Sequence, residues 1–327
     1  MPVALITGVS GQDGSYLAES LVARGFDVHG VVHSSTGSAR PEFVDPAVRL
    51  HSLDITDTVA LGELIARVSP DRIYSLAAVS SVFASWQDPV QNARVNALPV
   101  AQILESAWRL RESTGRDVRV VQASSAELFG QPESAPQNEE TPIRPTSPYG
   151  AAKAFAHHLV GVYRQRGLFA SSAILYNHES PRRPEAFVTR KITAAAARIA
   201  AGRQETLQLG TREVRRDWGW APDYARALEL AGEADASDDF VIATGTTHSI
   251  ADFVRLAFER AGVHDWADRV VLDPSFRRPV DPSEQVGDSG RARRVLGWAP
   301  TVGFAEIVER MVDADLEIAR TGERGEP

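Results

Sequence analysis

Tyr149 and Lys153 stand four residues apart in Ser147-Pro148-Tyr149-Gly150-Ala151-Ala152-Lys153. On a helix that spacing puts phenol and ammonium on one face, a turn apart. An ammonium beside a phenol favours phenolate, drawing a pKa ordinarily about 10 toward neutrality. Such a phenolate can take the proton of a substrate hydroxyl while hydride leaves its carbon, and the lysine can also hold ribose hydroxyls of a dinucleotide. Ser125, in Ala123-Ser124-Ser125-Ala126-Glu127, is a hydroxyl suited to bind the same reacting group. Glu127 adds a second acid/base, which plain alcohol oxidation does not require.

The chain around these residues alternates strand and helix patterns. Val3–Thr7 is a short apolar run, Ser15–Ala23 has helical periodicity, and Val28–Val32 and Arg49–Leu53 read as strands. Thr58–Val68 is amphipathic, Arg72–Leu76 is a strand, Val90–Leu110 a long helix, and Val118–Gln122 a fifth strand. Tyr149–Arg166 is helical and Ala170–Leu175 a further strand. This rhythm predicts an α/β fold with a doubly wound parallel (Rossmann) sheet. Ser125 and Glu127 then fall at the carboxyl edge, where ligands of such sheets bind. After about Tyr176 the rhythm changes. Helical segments near Thr189–Ala201, Ala251–Arg260 and Ala305–Ala314 lack regular strand partners, and Asp239–Ala243 reads as a strand returning to the sheet. The expected organisation is a dinucleotide domain over 1–176, revisited around 212–246, and a smaller, mostly helical substrate domain over 177–327.

Thr7-Gly8-Val9-Ser10-Gly11-Gln12-Asp13-Gly14 lies between the first strand and the first helix. Gly8 suits a tight turn, Gly11 lets backbone approach a pyrophosphate, and Gly14 permits close helix–strand packing. The helix N-terminus, with Gln12 and Asp13, offers N–H groups and a positive dipole end to the phosphates. Asp54, followed by Ile55, can accept from an adenine amino group, and small residues in Leu76-Ala77-Ala78 let a cofactor lie against backbone. The second strand ends in His33-Ser34-Ser35. An acidic residue there would bind the ribose 2′-hydroxyl of NAD and repel a 2′-phosphate. Neither an acid nor an arginine is present, so this position leaves NAD and NADP both open. Without that repulsion, and with Ser34, Ser35 and Arg40 as donors, NADP is the expected cofactor and NAD the alternative.

Composition sets outer bounds. The 327 residues are 43% hydrophobic and carry a net charge of −8, enough for a large core and unfavourable to a phosphate-tracking nucleic-acid surface. There are no cysteines, hence no disulfide, thiolate metal site or cysteine nucleophile, and no metal is implied. No apolar run reaches the roughly 20 residues needed to cross a bilayer. With no leader pattern after Met1, the expected location is the cytoplasm. Lys153 and Lys191 are the only lysines among 35 basic residues, which singles out two compact ammonium groups in an arginine-rich chain.

The motifs together resemble GDP-mannose 4,6-dehydratases, of the extended short-chain dehydrogenase/reductase kind, along nearly the whole chain. The N-terminal matches are Thr-Gly-x-x-Gly-Gln-Asp-Gly-Ser-Tyr-Leu from Thr7, Ser-Ser-Ala-Glu-Leu-Phe-Gly from Ser124 and Ser-Pro-Tyr-Gly-x-x-Lys from Ser147. More specific to that family are Tyr176-Asn-His-Glu-Ser-Pro-Arg-Arg183, Phe187-Val-Thr-Arg-Lys-Ile192 and Arg215-Arg-Asp-Trp-Gly219. The resemblance implies a catalytic set of Ser125, Glu127, Tyr149 and Lys153. It implies a sugar-nucleotide site of Asn177, Glu179, Val188, Lys191, Arg216, Arg278 and Asp281, with Lys191 and Arg216 on the diphosphate. The implied reaction converts GDP-mannose to GDP-4-keto-6-deoxymannose by internal hydride transfer from C4 to C6. A sugar-nucleotide epimerase or decarboxylase, or a silent dinucleotide-binding protein, is the alternative. The chain departs from the family at His33-Ser34-Ser35 and Val79-Ser80-Ser81, where arginines and Gln-Ser-His are usual, and at Asp281 in place of glutamate. Apolar residues beyond one stripe on Val90–Leu110 and Tyr149–Arg166 predict a homodimer through those helices. A tetramer is less expected, because the family's interface arginines are missing.

Overall fold

The computed structural model describes residues 1–33, 40–276 and 279–322. A seven-stranded parallel sheet forms its centre, built from β1 (Val3–Thr7), β2 (Asp27–Val32), β3 (Arg49–Ser52), β4 (Arg72–Ser75), β5 (Arg119–Ser125), β6 (Phe169–Leu175) and β10 (Asp239–Ile242). Their order is β10-β6-β5-β4-β1-β2-β3. The order reverses between β1 and β4, which opens a crevice at the carboxyl ends of those two strands.

Both faces of the sheet are covered. One apolar cluster joins α1 (Gln12–Ala23) and α8 (Ala221–Glu233) to the sheet through Leu17, Leu21, Tyr224, Leu228, Val121 and Phe240. The other joins α2 (Thr58–Val68), α5 (Leu98–Thr114) and α6 (Pro148–Gln165) through Leu61, Ile65, Ile103, Leu104, Val120 and Val160. The inner strands are therefore apolar on two sides, as parallel sheets require, whereas the edge strand β3 has no buried residue.

The long helix expected over Val90–Leu110 is two helices, α4 (Pro89–Asn96) and α5. They meet at Ala97, two residues before Pro99, which lacks the N–H to continue the ladder. A short α3 (Val82–Gln87) precedes them, capped by the Ser81 hydroxyl, and neither it nor α8 was expected from periodicity.

The second half also carries more strand than its sequence suggested. β7 (Asn177–Glu179) follows β6 after one residue and pairs with β9 (Arg215–Trp220). β11 (Thr247–Ser249) and β13 (Glu284–Gln285) complete this small sheet, and β8 (Leu207–Leu209) pairs with β12 (Val270–Leu272). These strands are two to six residues long, too short for a visible alternation. A third apolar cluster packs α7 (Val188–Ala200), α9 (Ile250–Arg260) and α12 (Phe304–Thr321) around Trp218 and Phe253. The remaining helices are α10 (Trp266–Arg269) and α11 (Gly290–Leu296). No helix among the described residues is long and apolar enough to cross a membrane.

Candidate active site

A cleft of about 1020 Å³ runs across the carboxyl edge of the large sheet and under the small one. Thr7 fixes its floor: the hydroxyl accepts from the N–H groups of Leu76 (3.1 Å) and Ala77 (3.2 Å), holding the ends of β1 and β4 level. Gly8 has φ +74°, and a Cβ there would lie 2.8 Å from the Ala77 Cα. A Cβ on Gly14 would lie 2.3 Å from the Gly8 carbonyl oxygen. Only glycine fits either place. Gly11, on the cleft wall, leaves α1 without a side-chain cap, so the helix start stays available to an anion. This bare turn fits a dinucleotide pyrophosphate.

Gln12 and Asp13, expected to contact cofactor, line the cleft and also tie the turn to the small sheet. Gln12 donates to the His178 carbonyl (3.1 Å), and its oxygen accepts from the Ser180 hydroxyl (2.9 Å). Both Asp13 carboxylate oxygens lie 2.9 Å from His178 Nε2, while His178 Nδ1 is 2.7 Å from the Tyr176 carbonyl. Since both partners can only accept, both ring nitrogens donate and His178 is an imidazolium. Burial opposes that charge, but the Asp13 carboxylate outweighs it and holds the His178 pKa above its ordinary value. Burial also pushes Asp13 upward, and the imidazolium overcomes this to hold it low.

Ser125 ends β5, and its hydroxyl accepts from the Glu127 N–H at 3.3 Å. Glu127 sits in a single 3₁₀ turn, Ala126–Phe129, with its residue on the cleft wall. Ser147 caps α6 by accepting from the Gly150 N–H (3.0 Å), and Pro148 opens the helix. Tyr149 is thus in the first turn, buried and hydrogen-bonded to Ser125. A Cβ on Gly150 would come within 2.5 Å of the Glu127 carbonyl oxygen, so this glycine lets the Tyr149 helix and the Glu127 turn touch through backbone. Lys153 is buried, donates to the Ala123 carbonyl (2.8 Å) and lies 5.8 Å from the Tyr149 ring centre.

The electrostatics differ from expectation at this pair. Burial pushes the Tyr149 phenol up to about 12, against the hydrogen bond from Ser125, and pushes Lys153 down to about 8. Desolvation thus dominates at both groups. Positive charge brought into the cleft is what would draw the phenol back toward neutrality.

At the far end of the crevice His33, Asp54, Ile55, Leu76, Ala77 and Ala78 share the wall. Ser34 lies outside the described residues. Arg40 does not stand free for a phosphate: its guanidinium donates to the carbonyls of Asp45 (2.8 Å) and Val48 (3.0 Å). On the opposite side Asn177, Glu179, Val188 and Lys191 line the cleft, with the Lys191 ammonium 3.8 Å from the centre of the Phe276 ring. Arg216 and Asp281 are not on its wall. Arg216 instead donates to Asp281 and to the carbonyls of Arg215 and Pro282, both 2.8 Å. Arg278 lies outside the described residues. Among the wall residues left unassigned in the sequence are His178 and Arg183. Arg183 stacks on Phe187 at 3.9 Å and pairs with Glu179 at 3.3 Å. Both belong to the Tyr176–Arg183 motif, but only the fold shows that it shares the cleft wall with Tyr149.

A parallel sheet whose crevice sets a bare pyrophosphate turn against a Tyr–Lys helix defines an extended short-chain dehydrogenase/reductase. The family described as GDP-mannose 4,6 dehydratase matches residues 5–311. The chain is 43% identical to GDP-mannose 4,6 dehydratase 2 of Arabidopsis thaliana, over 97% of this chain and 88% of that protein. It is 41% identical to GDP-mannose 4,6-dehydratase of Sinorhizobium fredii, over 97% of each. Among solved structures it resembles the UDP-glucose 4-epimerase of Thermus thermophilus in complex with NAD, with a TM-score of 0.83 and 29% identity over 96% of this chain and 98% of that one. The chain belongs to the GDP-mannose 4,6 dehydratase family.

Proposed function

We propose that this protein is a hydro-lyase that converts GDP-mannose to GDP-4-keto-6-deoxymannose, with NADP as its resident cofactor. The observation that carries this reading is two separate proton-handling groups on one cleft wall, Tyr149 and Glu127, locked together through Gly150. When bound, the dinucleotide supplies a hydride acceptor and donor and a positive ring beside the phenol. Gly8, Gly11 and Gly14 would hold its pyrophosphate, and Lys153 its ribose. Tyr149 takes the proton from the sugar C4 hydroxyl, with Ser125 holding that oxygen. The resulting 4-ketone acidifies C5–H, and Glu127 removes this proton. The C6 hydroxyl then leaves as water, protonated by Glu127 or Ser125, and C6 would regain the hydride lost from C4 while C5 regains a proton, giving the 4-keto-6-deoxy sugar. Lys191 would bind the substrate diphosphate, with Asn177, Glu179 and Val188 beside the sugar. Residues 1–176, with 212–246, would carry the cofactor, and 177–327 mainly the substrate.

The family membership supports this substrate, and the absence of an acidic side chain at the end of β2 supports NADP. The working form would be a cytoplasmic homodimer. Phe83, Trp86, Val90, Leu98, Phe155 and Val162, all exposed on α3 to α6, support pairing of that face with a second copy. Incubation of the purified protein with a panel of nucleotide sugars tests the reaction. GDP-mannose should lose the mass of one water. Unchanged GDP-mannose beside a UDP-sugar epimerised at C4 would replace the dehydratase reading with an epimerase.

A further inference from the structure

The adenosine end of the crevice pairs the position that ends β2 with the carboxylate that follows β3. β2 runs into His33 and β3 into Asp54, and the His33 Nε2 lies 3.9 Å from an Asp54 carboxylate oxygen. Both side chains are substantially exposed, and both residues line the cleft. Asp54 is held ionised by the N–H and hydroxyl of Thr56, at 2.9 and 2.8 Å. In sheets of this topology the residue ending the second strand faces the adenosine ribose 2′ position. A 2′-phosphate there would meet a standing carboxylate and, beside it, an imidazole.

We propose that His33 makes cofactor choice pH-dependent: protonated, it favours the dinucleotide bearing a 2′-phosphate, and neutral, it leaves Asp54 to favour the one without. The inference rests on the reading of this crevice as the NADP site. Imidazole is the type of side chain whose charge changes near neutrality. Charged groups described near the pair have partners of their own. Arg40 is engaged by the Asp45 and Val48 carbonyls. His29 and His51, earlier on β2 and β3, bond to each other at 2.9 Å, with Asp27 and Arg49 beside them. From the turn after β1, Gly8, Ser10 and Gly11 bring no charge to the wall.

The test is calorimetric titration of NADP⁺ and NAD⁺ from about pH 5.5 to about pH 8.5, bracketing the ordinary imidazole range. It is run on the unaltered protein, His33→Gln and His33→Arg. The second ionisation of the 2′-phosphate falls in the same window, near about pH 6. The NADP/NAD affinity ratio of the unaltered protein is therefore divided by that of His33→Gln at each pH, which cancels the phosphate's own titration. The quotient should be roughly fivefold at the acid end, the scale of one exposed ion pair, and fall to about one at the alkaline end. His33→Arg should prefer NADP throughout. A quotient that does not move with pH overturns the selector, even if NADP is preferred at every pH. A falling quotient with NAD preferred at every pH would keep the selector and overturn the NADP assignment.

Discussion

The Tyr–Lys floor of the cleft and its outer wall are built on opposite plans. Ser125, Tyr149 and Lys153 sit on the last residue of a central strand and the first turns of one helix. Their geometry is set by main chain: the Ala123 carbonyl holds Lys153, Ser147 caps the helix, and Gly150 presses it on the Glu127 turn. The residues expected to recognise ligand, on the wall or behind it, are placed by other side chains. His33 leans toward Asp54, Lys191 lies on Phe276, and Arg216 pairs with Asp281. The His33 side chain is 59% exposed, whereas Lys153 is 3% exposed. Chemistry fixed by backbone changes only if the fold changes. Recognition fixed by side-chain pairs can drift one residue at a time, and the departures at His33, Ser80 and Asp281 all fall outside the floor.

Substitutions on the two sides should separate accordingly. The largest effect belongs to the floor. Tyr149→Phe removes the first proton acceptor, and kcat should fall by roughly 10²–10⁴ with little change in substrate affinity. A variant with near-normal kcat would move the base elsewhere. On the wall, Lys191→Met removes one charge-assisted contact worth about 1.5–3 kcal/mol, so KM for GDP-mannose should rise about ten- to a hundredfold while kcat changes little. A collapse of kcat instead would place Lys191 with the floor. The smallest effect is the alkaline limb. Lys153 titrates near 8, below its ordinary 10.5, because burial penalises the ammonium. Activity that needs the charged lysine should therefore decline as pH rises through about 8. Fold stability should move the other way between 8 and 10.5, since losing the proton relieves the burial penalty. A rate profile flat to pH 10 would show that bound ligands restore the ammonium fully.

The same contrast decides what could be read from sequence. Tyr149, Lys153 and the glycine turn are local patterns on regular elements, and spacing alone implied their geometry. The parallel, doubly wound sheet followed from the alternation of β and α segments. Asp13 and His178 are 165 residues apart, and no periodicity connects them. The pairing of Arg216 with Asp281 joins β9 to a turn 65 residues later, a contact that no local pattern shows. The phenol's shift to about 12 was equally invisible, because spacing reports a neighbour's charge but not its desolvation. The break at Ala97 was legible from Pro99, though periodicity ran across it.

The account depends most on Glu127 being a base distinct from Tyr149. Glu127→Gln keeps size and hydrogen bonding but removes the basic oxygen. The variant should be mixed with GDP-mannose in deuterated water and followed by near-ultraviolet absorbance and by mass at C5. Oxidation at C4 should survive, so absorbance from reduced dinucleotide builds up, product formation slows by roughly 10²–10⁴, and little deuterium enters C5. Product formed at the unaltered rate, with full deuterium at C5, would contradict the central claim.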